Sequence, residues 1–198
     1  MKNRGIAAGM VIGMLLLSGN VTSQEPKFIG ADNPAWSQHV QWALGEQVSC
    51  QAAVDDISPC NRFVGRALKR IWGITDFQTG ASPPGDYMLA NGIVTALLTM
   101  KDEWIEIGRA NDQSSLEASR AWANKGYAVI AVRPDTPNGH VALILPGPLS
   151  ASAKWGLNVP NSASFFYLNP DLSYIGKPLS SAFSSDKKGD VKLYYRLK

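Results

Sequence analysis

Residues 127–146 read YAVIAVRPDTPNGHVALILP, two apolar runs joined by a short link of turn residues. That pattern commits the chain to an antiparallel β-hairpin. Everything before the hairpin reads differently. WSQHVQWALGEQ places Trp36, Val40, Ala43 and Leu44 at helical spacing, with His39 as a packed or surface residue beside them. Phe63, Val64, Ala67, Leu68 and Ile71 repeat in the same way. Ser58 supplies an N-cap, Pro59 the first helical position and Gly73 a stop. YMLANGIVTALLTM has the length and composition of a further helix. SSLEASRAWANKG forms another, capped by Ser114 or Ser115 and ended by Gly126.

Between the last two helices, WIEIG is short and alternating, a possible strand or extended arm. After the hairpin and a Gly/Ser/Pro loop, SASFFYL is a third strand candidate, and residues 169–190 read mostly as loop. VKLYYRL alternates strictly and is expected to close the sheet at an edge. Helices first and antiparallel strands afterwards define an α+β class, with N-terminal helices packed on one side of an antiparallel sheet.

The N-terminus bears on compartment. MKNR is basic, GIAAGMVIGMLLL is apolar and uncharged, and SGNVTS is small and polar. This is the layout of a secretory signal peptide, residues 1–23, cut after Ser23. The apolar core falls short of the ~20 residues of a membrane span. The expected product is periplasmic or secreted, with no membrane attachment after cleavage. It is a single domain over residues 24–198, of 175 residues and net charge +1. So small a charge gives no reason to expect nucleic acid as a partner. Arg62, Arg66, Lys69 and Arg70 read as the solvated face of one helix. With only two histidines there is no zinc-ligand spacing, and no phosphate-binding or dinucleotide glycine loop occurs, so neither metal nor cofactor is expected.

The chemistry rests on SPCNRFVG, residues 58–65. Cys60 falls in the first turn of its helix, where the positive end favours a thiolate and unpaired backbone donors can hold an oxyanion. An exported protein with two cysteines has an equally good alternative: a disulfide from Cys60 to Cys50, closing a short loop worth roughly 2–3 kcal/mol. His140 opens the second strand of the hairpin, where a fixed backbone could aim an imidazole at a thiol. It also reads as a turn histidine that merely begins a strand.

CNRFVGRAL at a helix start, AVIAV followed by GHVALILPG, and a polar-bearing strand beyond together resemble the CHAP and NlpC-like cysteine amidases, and the type VI secretion amidase effectors similar to them. The resemblance spans residues 55–167. It implies a papain-like fold and an exported cysteine hydrolase that cleaves amide bonds in peptidoglycan stem peptides or crosslinks. Cys60 would be the nucleophile and His140 the base. The orienting residue falls in NVPNSASFF, which offers Asn158, Asn161, Ser162 and Ser164, and Asn161 is the expected one. Asn61 and Trp155 are expected at the substrate. Partners would be peptidoglycan or a peptide substrate, and an immunity or inhibitor protein. The chain departs from the family where Pro59 stands in place of the Asp that NlpC-like members often carry. The rival reading is a secreted binding or inhibitor domain stapled by Cys50–Cys60, without turnover. A reversible bond between the two cysteines would act as a redox gate.

Overall fold

The computed structural model describes residues 34–52, 58–80 and 86–197. The signal-peptide reading of residues 1–23 lies outside them. The chain runs through α1 (Pro34–Gln51), α2 (Ser58–Asn61), α3 (Phe63–Trp72), α4 (Ala90–Leu97), β1 (Trp104–Arg109), α5 (Gln113–Asn124), β2 (Val129–Arg133), β3 (His140–Ser152), β4 (Leu157–Ser164), β5 (Tyr174–Pro178) and β6 (Lys192–Arg196). The strands form one six-stranded sheet in the order β1-β6-β2-β3-β4-β5. Every neighbouring pair is antiparallel. The protein is α+β.

Alternation along the strands decides which residues meet which helices. Ile130, Val132, Val141, Leu143 and Leu145 pack with Ala43, Phe63, Val64, Leu68, Ile93 and Leu97 from the N-terminal helices. Val129, Ala131, Ala142, Ile144 and Leu193 face the other way, against Leu116 and Ala123 of α5. The helices therefore cover both faces, not one. The hairpin reads as continuous apolar sequence because each strand is buried on both sides.

Four features differ from the sequence-based expectation. The closing strand β6 is interior, between β1 and β2. Its polar positions find partners inside the fold: Lys192 Nζ donates to Glu106 at 3.0 Å. Arg196 Nε donates at 2.9 Å to Asp76 Oδ2, which also accepts from Trp104 Nε1 at 2.9 Å. The strand β3 continues through PGPLSAS, with its register to β4 shifting between Leu145 and Ser150. At α5, Asp112 is the cap in place of the serines, accepting from the backbone N–H of Ser114 and Ser115. Residues 169–190, expected to be loop, contribute β5 and three short 3-10 turns.

The helix that carries the cysteine motif is interrupted. α2 ends at Asn61, Arg62 breaks the helical geometry with φ −110° and ψ 5°, and α3 runs from Phe63 to Gly73. Gly73 sits at φ +71°, and its N–H and that of Ile74 satisfy the carbonyls of Lys69 and Leu68, a left-handed close. Within the motif, Gly65 is needed for space: a Cβ there would lie 2.5 Å from the ring of Tyr87. Half of the basic face is docked, while Lys69 and Arg70 are exposed as expected. Arg62 pairs with Asp86, and Arg66 Nε donates to Glu46 at 2.7 Å.

Candidate active site

A cavity of about 460 Å³ opens at the end of the sheet where the link from β2 to β3 turns. Cys60, Asn61, Phe63 and Val64 contribute to one wall, Leu89 to Asn91 at the start of α4 to another, Arg133 and Pro137 to Val141 to the next, and Phe165 to Asn169 with Ala182 to Ser184 complete it. Cys60 and His140 thus line one space although they are 80 positions apart in the chain.

Each is bonded elsewhere. Cys60 Sγ is joined to Cys50 Sγ in a disulfide. Both cysteines are buried, at 3 % and 0 % exposure, on the α1–α3 side of the sheet. Cys50 Sγ also lies 3.3 Å from Ser173 Oγ, which in turn accepts from the backbone N–H of Phe166 on the cavity wall.

His140 Nε2 lies 2.6 Å from Ser164 Oγ. Its ring stacks on Phe166 at 4.5 Å between centroids and meets Phe183 edge-on at 5.2 Å. Phe166 and Phe183 pack with the α5-side cluster, so imidazole and disulfide approach the cavity from different faces of the sheet. Burial first, and the charge of Arg133 second, pull the His140 pKa down to about 4. The ring is neutral at physiological pH. In the tautomer whose Nε2–H donates to Ser164, Nδ1 keeps its lone pair and is the basic atom.

The GH step has a steric cause. A Cβ on Gly139 would collide with Asn91 Oδ1 and come within 2.8 Å of the Arg133 carbonyl oxygen. Asn91 packs there because its Nδ2 donates to the carbonyls of Asp135 and Pro137, at 2.8 and 3.2 Å. One carboxamide on α4 therefore fixes the link that delivers His140.

Of the expected site residues, Cys60, Asn61 and His140 line the cavity, while Asn161 and Trp155 do not. The partner of the imidazole is Ser164, not Asn161. Asn161 pairs in register with Leu145 and sits under Gly147, where an added Cβ would meet its Nδ2 at 3.0 Å. It stands three residues from Ser164, an odd number, and so projects from the opposite face. Ser162 and Ser164 are fully buried. Ser162 Oγ is 2.8 Å from the Tyr174 hydroxyl. Trp155, expected at a substrate rim, is 3 % exposed in the α5-side core. The missed partner had a signal, since Ser162, Ser164 and Phe166 share a parity. Only the register of β3 against β4 tells which parity faces His140.

Among the described residues no group of three or more His, Cys, Asp or Glu side chains comes together as a metal site. No protein-family model matches this chain, and no curated protein matches it.

Proposed function

We propose that the protein is an exported cysteine hydrolase of papain-like architecture that cleaves amide bonds of peptidoglycan stem peptides or crosslinks. The form with the Cys50–Cys60 bond is its latent state. The single observation that carries this reading is the shared cavity: Cys60 and His140 both border it, and Ser164 holds the far nitrogen of the imidazole. The order of the motifs, cysteine at a helical turn and then GH at a strand start, supports the same class.

The chemistry begins with a thiol reductant. Two reductant thiols convert the protein disulfide into two protein thiols and leave as their own disulfide. Cys60 then attacks the amide carbonyl carbon while His140 takes the thiol proton. Backbone N–H groups at Cys60 and its neighbour stabilise the oxyanion. The amine leaves with the proton from His140. Water attacks the thioester, giving its proton to the imidazole, and the sulfur is released. Ser164 keeps the ring oriented through both halves. A competitor-directed enzyme of this kind would be held in check by an immunity or inhibitor protein covering the cavity.

Purified protein, oxidised and reduced, is incubated with cell-wall sacculi, and new amino groups are counted and assigned by fragment mass. The reduced protein should release amines, and Cys60→Ala should not. Full activity in Cys60→Ala overturns the assignment. A second reading is favoured by the disulfide itself: a binding or inhibitor domain stapled by Cys50–Cys60. It requires that reduction unfold the cavity and liberate no activity.

A further inference from the structure

The cavity wall is nearly uncharged. Its polar side chains are carboxamides and hydroxyls such as Asn61, Asn138, Asn169 and Ser184. Its aromatic ones are Phe63, Phe165, Phe166, Tyr167 and Phe183, and among the lining residues only Arg133 carries a full charge. Its position is set by register. Arg133 and His140 are direct partners across β2 and β3. Side chains so paired stand on one face with their Cβ atoms about 4.5–5.5 Å apart. A substrate carbonyl brought to the imidazole therefore has the guanidinium beside it.

Resting on the hydrolase reading, we propose that Arg133 is the specificity determinant of this cavity, binding a carboxylate on the substrate next to the scissile amide. In the structure the guanidinium pairs with Asp135, two residues further along, at 2.6 Å. The Asp135 side chain is 43 % exposed, whereas Arg133 is 17 % exposed. An ion pair whose acid is that open to water is weak, so a carboxylate arriving from the cavity can take its place. Asp186, beyond Ser184, also senses the Arg133 charge and is likewise at the surface. The planar fork matches a carboxylate with two parallel N–H···O bonds. A doubly charged phosphate would want a second cation, and the wall offers none among its described residues.

The oxidised full-length protein, which binds without turnover, allows a direct test. Soluble disaccharide-peptides from muramidase-digested sacculi are titrated into it by calorimetry, either untreated or with their carboxyls converted to carboxamides. Untreated fragments should bind at least 10-fold more tightly. Arg133→Gln should erase that preference, and Arg133→Lys, keeping the charge without the fork, should retain part of it with an unchanged melting temperature. Equal affinity for both fragment sets, a full preference in Arg133→Gln, or no binding of either set overturns the proposal. Amine release by the reduced protein is scored separately. Cleavage without a carboxylate preference leaves the hydrolase and removes the selectivity, while preference without cleavage does the reverse.

Discussion

Ser164 Oγ lies 2.6 Å from His140 Nε2, and the two residues sit diagonally across the β3–β4 ladder on one face of the sheet. The contact fixes an imidazole that also packs against two phenyl rings. A serine hydroxyl is a sufficient orienting group: in the tautomer that donates Nε2–H to Ser164 Oγ, the lone pair lies on Nδ1. Ser164→Ala in the reduced enzyme should lower kcat by roughly 10- to 100-fold, about 1.4–2.7 kcal/mol of barrier, with little change in KM. Asn161→Ala should leave kcat near wild type. Equal loss in the two variants would show that Ser164 acts only through packing.

Freeing the sulfur should switch the enzyme on. Cys50→Ser should release amines from sacculi without added reductant, while wild type requires it. The same variant should lose roughly 2–3 kcal/mol of stability by urea denaturation, the worth of a short disulfide loop. Iodoacetamide should label Cys60 in Cys50→Ser and leave oxidised wild type untouched. An inactive but labelled Cys50→Ser would count against the thioester mechanism.

His140 should also govern the acid side of both rate and stability. Its folded pKa of about 4 lies below the ordinary 6.5. The unfolded chain therefore binds more protons between those values, and stability is complete above pH 6.5 and lost as pH falls toward 4. His39 is shifted the same way, by burial and then by Arg70, so each histidine must be read separately. Nuclear magnetic resonance should find the His140 ring neutral down to about pH 5, with the acid limb of kcat in the same place. A His140 midpoint near 6.5 would remove the claim. His140→Gln should flatten part of the urea-midpoint slope between pH 7 and 5.

The glycine before the histidine is a positioning element. Gly139→Ala should press Asn91 and the Arg133 carbonyl apart, costing about 1–3 kcal/mol as overpacking does. Activity should fall more than stability alone explains, because His140 is the next residue. Asn91→Ala in the same background should recover folding, by vacating the space, without recovering kcat. Thermal melts and single-turnover rates on the two variants decide it.

Asp76 offers a control remote from the cavity. Its carboxylate accepts from Trp104 Nε1 and from Arg196, tying β1 and β6 to the loop after α3. Asp76→Ala should cost about 1–3 kcal/mol, by leaving the Trp104 donor and the Arg196 charge without that partner. It should leave kcat unchanged at temperatures where the protein stays folded. A kcat loss equal to that of Ser164→Ala would mean that site variants report stability instead of chemistry.

The sequence by itself determined the local elements. Periodicity located the α3 stripe from Phe63 to Ile71, Gly73 marked its end, and the paired apolar runs around RPDTPNG defined the β2–β3 hairpin. These are near-neighbour effects, set by residues three or four apart or by a single turn. The tertiary structure alone decided what depends on register and layering. It put β6 inside the sheet, because Asp76 and Glu106 come from elsewhere to satisfy Arg196 and Lys192. It gave Ser164 and not Asn161 to His140, because a strand's side-chain parity acquires meaning only against its partner strand. It buried Trp155 under the α5 face, and it closed Cys60 onto Cys50. Apart from the ten-residue disulfide loop, which the cysteine count already offered, no local pattern encodes these outcomes, since each is a contact between distant segments whose geometry exists only after the sheet has formed.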